Sequence, residues 1–201
     1  MPAHQTTDKI DRRITRTRRL LSNAFMELIS TKSYKDITIT DITELADVAY
    51  VTFFRHYTDK DDFFAKVVAD DISQLMQQVE AIPQESSPSF EQCTIMFQHI
   101  QSNDLLYRTM LSDPATCNVR EQIKDWHVDM ILKKFINQYT DGSLIPLEIA
   151  ANHMAASELE LIDWWLQNDM PYPPERMGQI FRELIINGTW QLVSENCEPP
   201  Y

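Results

Sequence analysis

Between Thr38 and Lys60 the chain places Tyr50, Val51, Thr52, Arg55, His56 and Lys60 within a few turns of one another. A guanidinium can donate two parallel hydrogen bonds to a guanine edge or grip a phosphate, and a threonine hydroxyl can bond either. A lysine at a helix N-terminus adds its charge to backbone amides that already favour an anion. The chemistry on offer is recognition of a polyanion rather than catalysis. Taken singly, Tyr50, Phe53, Phe54 and Tyr57 read as core, and Arg55 and Lys60 as solvated surface; their order, behind two short helices and a basic segment, favours an interface.

Side chains that read base edges must sit on a helix seated in the groove, held in register by neighbours on the phosphates. Ile39, Ile42, Leu45 and Ala46 predict the buried edge of a short helix capped by Thr40 and ending near Ala46. Asp47-Val48-Ala49 is a tight connection with Val48 as its plug, and a second short helix follows over Tyr50–Tyr57, packed through Phe53 and Tyr57 and exposing Tyr50, Val51, Arg55, Ala49 and His56. Upstream, Ile14, Leu21, Ala24, Phe25, Leu28 and Ile29 recur at helical spacing from about Arg13 to Thr31. Downstream, Thr58-Asp59 forms a turn and cap for a long helix from Lys60 carrying Phe63, Phe64, Val67, Val68, Ile72, Leu75 and Val79.

Charge is divided to match. The chain carries −12 overall, with +2 on residues 1–60 and −14 on residues 61–201, and Lys9, Arg12, Arg13, Arg16, Arg18 and Arg19 fall within eleven residues. A polyanion would meet the N-terminal end and be repelled by the rest.

Past a Pro83–Pro88 linker, helices are expected over about Phe90–Gln101, Asp104–Leu111, Asn118–Tyr139, Pro146–Asn168 and Pro174–Glu195, so the chain reads as all-α with about nine helices. The expected division is a helix-turn-helix DNA-binding domain over residues 1–60 and a helical ligand-binding and dimerisation domain over 61–201. The basic, polar opening and the lack of a long apolar run point to a soluble, cytoplasmic protein without a membrane partner. Cys93, Cys117 and Cys197 are spaced like ordinary reduced cysteines. Asp61-Asp62 and Asp70-Asp71 read as solvated helix surface. No glycine-rich phosphate loop, GxSxG or HExxH is present, so no catalytic residue, metal or cofactor is expected.

Residues 17–66 resemble the DNA-binding domain of the tetracycline-repressor (TetR) family through Thr17-Arg18, Leu28-Ile29, Tyr34, Ile39, Asp41-Ile42, Leu45-Ala46, Val48, Thr52-Phe53-Phe54-Arg55-His56-Tyr57, Lys60 and Phe63-Phe64. The resemblance implies phosphate contacts from Thr52, Phe54 and Lys60 and base approach by Tyr50, Val51 and Arg55. With Arg16, Thr17, Arg18, Thr40 and His56, these make the expected DNA-facing set. Asp47 stands where the family has glycine in the turn, Phe54 replaces a tyrosine and so lacks its hydroxyl, and Ser33 replaces the glycine before Tyr34.

Residues from about Ala150 to Glu195 resemble the family's last two helices, which pair between subunits. That implies a homodimer interface drawn from Leu159, Ile162, Trp165, Leu166, Ile180, Phe181, Leu184, Ile185 and Leu192. Soft and aromatic central residues, Met96, Phe97, Tyr107, Met110, Trp126, Met130 and Met154, with His127 and Glu158 (and His99) as polar groups, are candidates to line a ligand cavity. The function these expectations describe is a homodimeric repressor on a palindromic double-stranded operator, its affinity modulated by a small-molecule effector. The alternative is an interaction module keeping the fold without reading DNA, and an all-α enzyme has no residues behind it.

Overall fold

Apolar residues three and four apart run through most of the chain, and the fold follows them. The computed structural model describes residues 3–82, 88–135 and 145–189. Among these there are nine α-helices and no strand. α1 covers Ala3–Ile29, starting ahead of the expected Arg13 because no glycine or proline interrupts the segment. α2 (Ile39–Leu45), α3 (Tyr50–Phe53) and the first turns of α4 (Lys60–Glu80) close over it.

α2 corrects one expectation. Its cap is Thr38 rather than Thr40: the Thr38 hydroxyl accepts from the Asp41 amide at 3.1 Å, and the Asp41 carboxylate accepts from the Thr38 amide at 2.8 Å. This reciprocal box satisfies two amides that a Thr40 cap would leave open. α3 also ends early, at Phe53, after which Arg55 and His56 donate to carbonyls three residues back. β-branched and aromatic residues extend a helix poorly, so Val51-Thr52-Phe53-Phe54 tightens into a turn.

The acids at the start of α4 are employed, not merely solvated. Asp59 caps the helix by accepting from the Asp62 amide at 2.8 Å, Asp61 accepts from the Tyr34 hydroxyl at 2.6 Å, and Asp62 accepts from the Thr58 amide at 2.8 Å. α5 (Phe90–Ser102), α6 (Asp104–Ser112), α7 (Cys117–Phe135), α8 (Leu147–Gln167) and α9 (Pro174–Phe181) complete the chain, and a π-helical stretch over Arg182–Asn187 continues α9. α5 and α9 cross with their backbones almost touching: a Cβ at Gly178 would lie 2.8 Å from the Thr94 amide nitrogen. The linker residues 83–87, the break at Asp141-Gly142, Leu192 and Cys197 fall outside the described residues.

The core is continuous from end to end. Its N-terminal part is aromatic, with Phe25, Tyr34, Phe53, Phe63 and Phe64 each at most 2% exposed. Phe97 and Trp165 meet edge to face at 5.3 Å between α5 and α8. No helix among the described residues is long and apolar enough to cross a membrane.

Candidate nucleic-acid interface

α3 is a small platform turned outward. Its buried side is Phe53, whose ring lies 5.3 Å from Tyr57 and 5.4 Å from Phe63. On the other side Tyr50 is 53% exposed and Val51 62%, unusual values for large apolar residues on a well-packed element. Arg55 is exposed just past the helix, and Thr52 and His56 are half-buried at its flank. Phe54 is 46% exposed and packs edge to face on Tyr50 at 5.3 Å, so it supports the outward aromatic instead of filling the core.

α1 brings its cations to the same place. Burial of the His56 imidazole, followed by the charges of Arg18 and Arg55, depresses its protonation, which puts Arg18 of α1 beside the end of α3. Arg12, Thr15, Arg16 and Arg19 line a shallow depression along α1, while Thr17 is half-buried. Thr40 is exposed on the first turn of α2, and Asp47 takes the left-handed conformation (φ 51°) that lets α2 end and α3 start at once.

Lys60 faces inward. Its ammonium donates to the carbonyls of Tyr34 at 2.7 Å and Ile37 at 2.8 Å and sits 4.1 Å above the Tyr34 ring. Burial lowers its pKa from the usual lysine range, against the pull of Asp61. An ammonium has three donors, so one remains for an anion.

The body holds a cavity of about 50 Å³. Every helix from α4 to α8 contributes to it, through Ile72, Leu75 and Met76, then Met96 and Ile100, Tyr107 and Met110, Ile123 to Met130, and Glu158 to Ile162. The expected Met96, Tyr107, Met110, Trp126, His127, Met130 and Glu158 all line it. Phe97 and Met154 do not: Phe97 is fully buried between Trp165 and Phe181, and Met154 packs in the core. Behind Tyr107, whose hydroxyl donates to Asp71 at 2.8 Å, the same carboxylate meets His99 at 2.8 Å. Asp71 is therefore a half-buried junction between α4, α5 and α6, not the solvated residue its neighbour Asp70 is.

A TetR C-terminal family model, described as "Transcriptional regulator C-terminal region", matches residues 89–187, the stretch that builds most of this cavity. Over residues 89–187 the chain matches the TetR family. The uncharacterized HTH-type transcriptional regulator YxbF of Bacillus subtilis (strain 168) is 22% identical over 195 residues, taking in 92% of this chain and 49% of that protein. The chain thus spans about half the length of this curated relative. Among solved structures, a TetR transcriptional regulator from Streptococcus agalactiae 2603V has TM-score 0.61 at 22% identity, covering 89% of this chain and 98% of that one. Lin0861 from Listeria innocua has TM-score 0.67 at 17% identity over 85% and 90% of the two chains. These likenesses establish the fold, and the relatives named as regulators here are not described as enzymes.

The expected pairing face needs correction. Leu159, Ile162, Trp165, Leu166, Phe181 and Ile185 are each at most 6% exposed within the single chain, so they fill its own core, with Leu159 and Ile162 walling the cavity. Ile180 is partly buried, Leu184 is 69% exposed, and Leu192 lies outside the described residues. The large apolar groups left outward on α8 and beyond are Ile149, Trp164, Tyr172 and Leu184, with Trp164 and Tyr172 stacked at 6.4 Å. Cys93 is buried and Cys117 exposed, and both are free.

Proposed function

We propose that the chain is a DNA-binding transcriptional regulator that works as a homodimeric repressor in the cytoplasm, with residues 1–60 as its reading domain and 61–201 as its regulatory domain. The observation that carries this is α3, an exposed Tyr50-Val51 face beside Arg55, braced from beneath by buried aromatics and flanked by the cations of α1. Arg16, Arg18 and Thr52 hold phosphates in this reading, and Tyr50, Val51 and Arg55 approach bases. Two copies related by a two-fold axis read the halves of a palindrome, and Trp164, Ile180 and Leu184 supply apolar surface for that pairing.

Regulation follows from α4, which carries the reading head at Lys60 and forms one wall of the cavity through Ile72, Leu75 and Met76. An effector that prefers one setting of α4 shifts the population of head spacings, a coupling worth about 1–3 kcal/mol in such systems.

Selection from a random duplex pool tests the reading: enrichment of an inverted repeat is expected, and absence of any salt-dependent retention would leave the fold as an interaction module. On the selected duplex, Arg55→Ala is expected to weaken binding by about 1–3 kcal/mol and relax the sequence preference at one position of each half-site. Sedimentation at micromolar concentration is expected to show a dimer.

A further inference from the structure

Two of the cavity's polar groups, Tyr107 and Glu158, offer acceptors to a ligand, beside the ring nitrogens of His127 and Trp126. Tyr107 spends its only proton on Asp71 at 2.8 Å, which leaves its oxygen as an acceptor. Glu158 is half-buried at the cavity wall, makes no hydrogen bond among the described residues, and forms only a loose ion pair, its carboxylate 3.6 Å from His127 Nε2. No lysine or arginine lines the space. The remaining walls are methionine sulfurs and aromatic faces, Met76, Met96, Met110, Met130 and Trp126, which attract positive charge and accommodate alkyl groups.

We infer that this cavity takes a small organic cation, a protonated amine of a few heavy atoms whose ammonium docks on the Glu158 carboxylate and whose alkyl part lies among the methionines. The inference rests on the reading of the cavity as an effector site and names the class of effector. A carboxylate ligand would be repelled by the Glu158 carboxylate, and a neutral hydroxyl can give it only an uncharged hydrogen bond, roughly half as strong as a charge-assisted one. An ammonium instead supplies the missing donors, in a charge-assisted bond that apolar walls strengthen. Burial already pushes the Glu158 carboxyl above its ordinary pKa, as a carboxylate lacking a strong counter-charge should behave.

The test uses the full chain without DNA and three small probes matched to the cavity's size, ethylammonium, ethanol and acetate, followed by calorimetry and by tryptophan fluorescence, to which Trp126 contributes. Saturable binding of the ammonium, roughly tenfold or more tighter than the alcohol, with acetate silent, is expected. Equal affinity for ammonium and alcohol, a preference for acetate, or no binding of the ammonium overturns the inference. Glu158→Gln is expected to bring the ammonium down to the level of the alcohol, and unchanged ammonium affinity in a folded Glu158→Gln protein overturns it as well. Should that variant not fold, the wild-type comparison decides alone. Duplex retention is scored separately. A chain that holds DNA but ignores the amine sinks only this inference, and one that binds the amine but not DNA sinks only the regulator reading.

Discussion

The head, α1 to α3 with the start of α4, and the body beyond it handle buried space in opposite ways. Around Phe25, Phe53, Phe63 and Phe64 the rings are in mutual contact at 4.9–5.4 Å, and the head's apolar excess appears outside, on Tyr50 and Val51. The body also leaves apolar residues outside, such as Leu184, but its core keeps a cavity with a loosely paired acid on its wall. A surface that must meet a rigid duplex gains from a filled core, since every substitution beneath it moves the reading side chains. A region that must respond to a small molecule gains from unfilled space and a loosely paired acid, both of which lower its stability until something occupies them.

If the head depends on being filled, emptying it should have the largest effect of any single change. Phe53→Ala removes the fully buried ring under α3 and is expected to destabilise the protein by about 3–5 kcal/mol. In a denaturant titration the loss should come with loss of duplex retention. A Phe53→Ala protein that still binds duplex with wild-type affinity would mean that the head tolerates voids as the body does.

The difference between the regions was only partly written in local sequence. Periodicity placed most helices within a few residues, though α1 starts ten residues before the expected Arg13, and the aromatic order from Phe53 to Tyr57 marked the reading element. Three side chains escaped it. Lys60 reads as an anion contact because nothing near it in sequence reveals that the carbonyls of Tyr34 and Ile37, over twenty residues away, take two of its protons. Asp71 reads as solvent-facing until Tyr107 and His99 arrive from two other helices. The stripe from Leu159 to Leu166 shows an apolar face but cannot tell a neighbouring helix of the same chain from one of a second copy. The cap of α2, by contrast, was misread as Thr40 even though Thr38-x-x-Asp41 has the spacing of a capping box.

Within the body, α5 and α9 form a tightly packed seam. Gly178→Ala would press a methyl into the α5 backbone at 2.8–3.0 Å, where only a shift of α9 can relieve it, and is expected to destabilise by about 1–3 kcal/mol. Thermal melts should show this loss with the amine selectivity of the cavity preserved, because Gly178 lies outside the cavity wall. An unchanged melting temperature would mean that the seam is as yielding as the cavity.

A smaller effect should appear in the pH dependence of stability. Burial raises the folded pKa of Glu158 above its ordinary value of 4.5, with His127 partly opposing the shift. Such a group favours the folded state when protonated, so its contribution is fully present below pH 4.5 and is lost as pH rises through the folded pKa. Glu158→Gln is expected to flatten that decline and to raise the melting temperature at neutral pH. A steeper decline in the variant would show that the carboxylate is well paired, and would set the body alongside the head as a region without unpaired groups.

The smallest expected change concerns the one place where the head itself is strained. Asp47 holds φ 51° between α2 and α3, where its amide donates to Glu44 and the next amide donates to Thr43, so the left-handed turn is fixed on both sides by backbone bonds. A Cβ disfavours that conformation, though aspartate tolerates it better than most residues. Asp47→Gly removes the strain but also frees the unfolded chain, and the two effects partly cancel. A net gain of about 0.5–1 kcal/mol is expected, visible as a higher denaturant midpoint with an unchanged slope. Loss of stability would show that the carboxylate contributes something at the turn that offsets its backbone, and duplex affinity measured alongside would tell whether the two helices it joins had changed their angle.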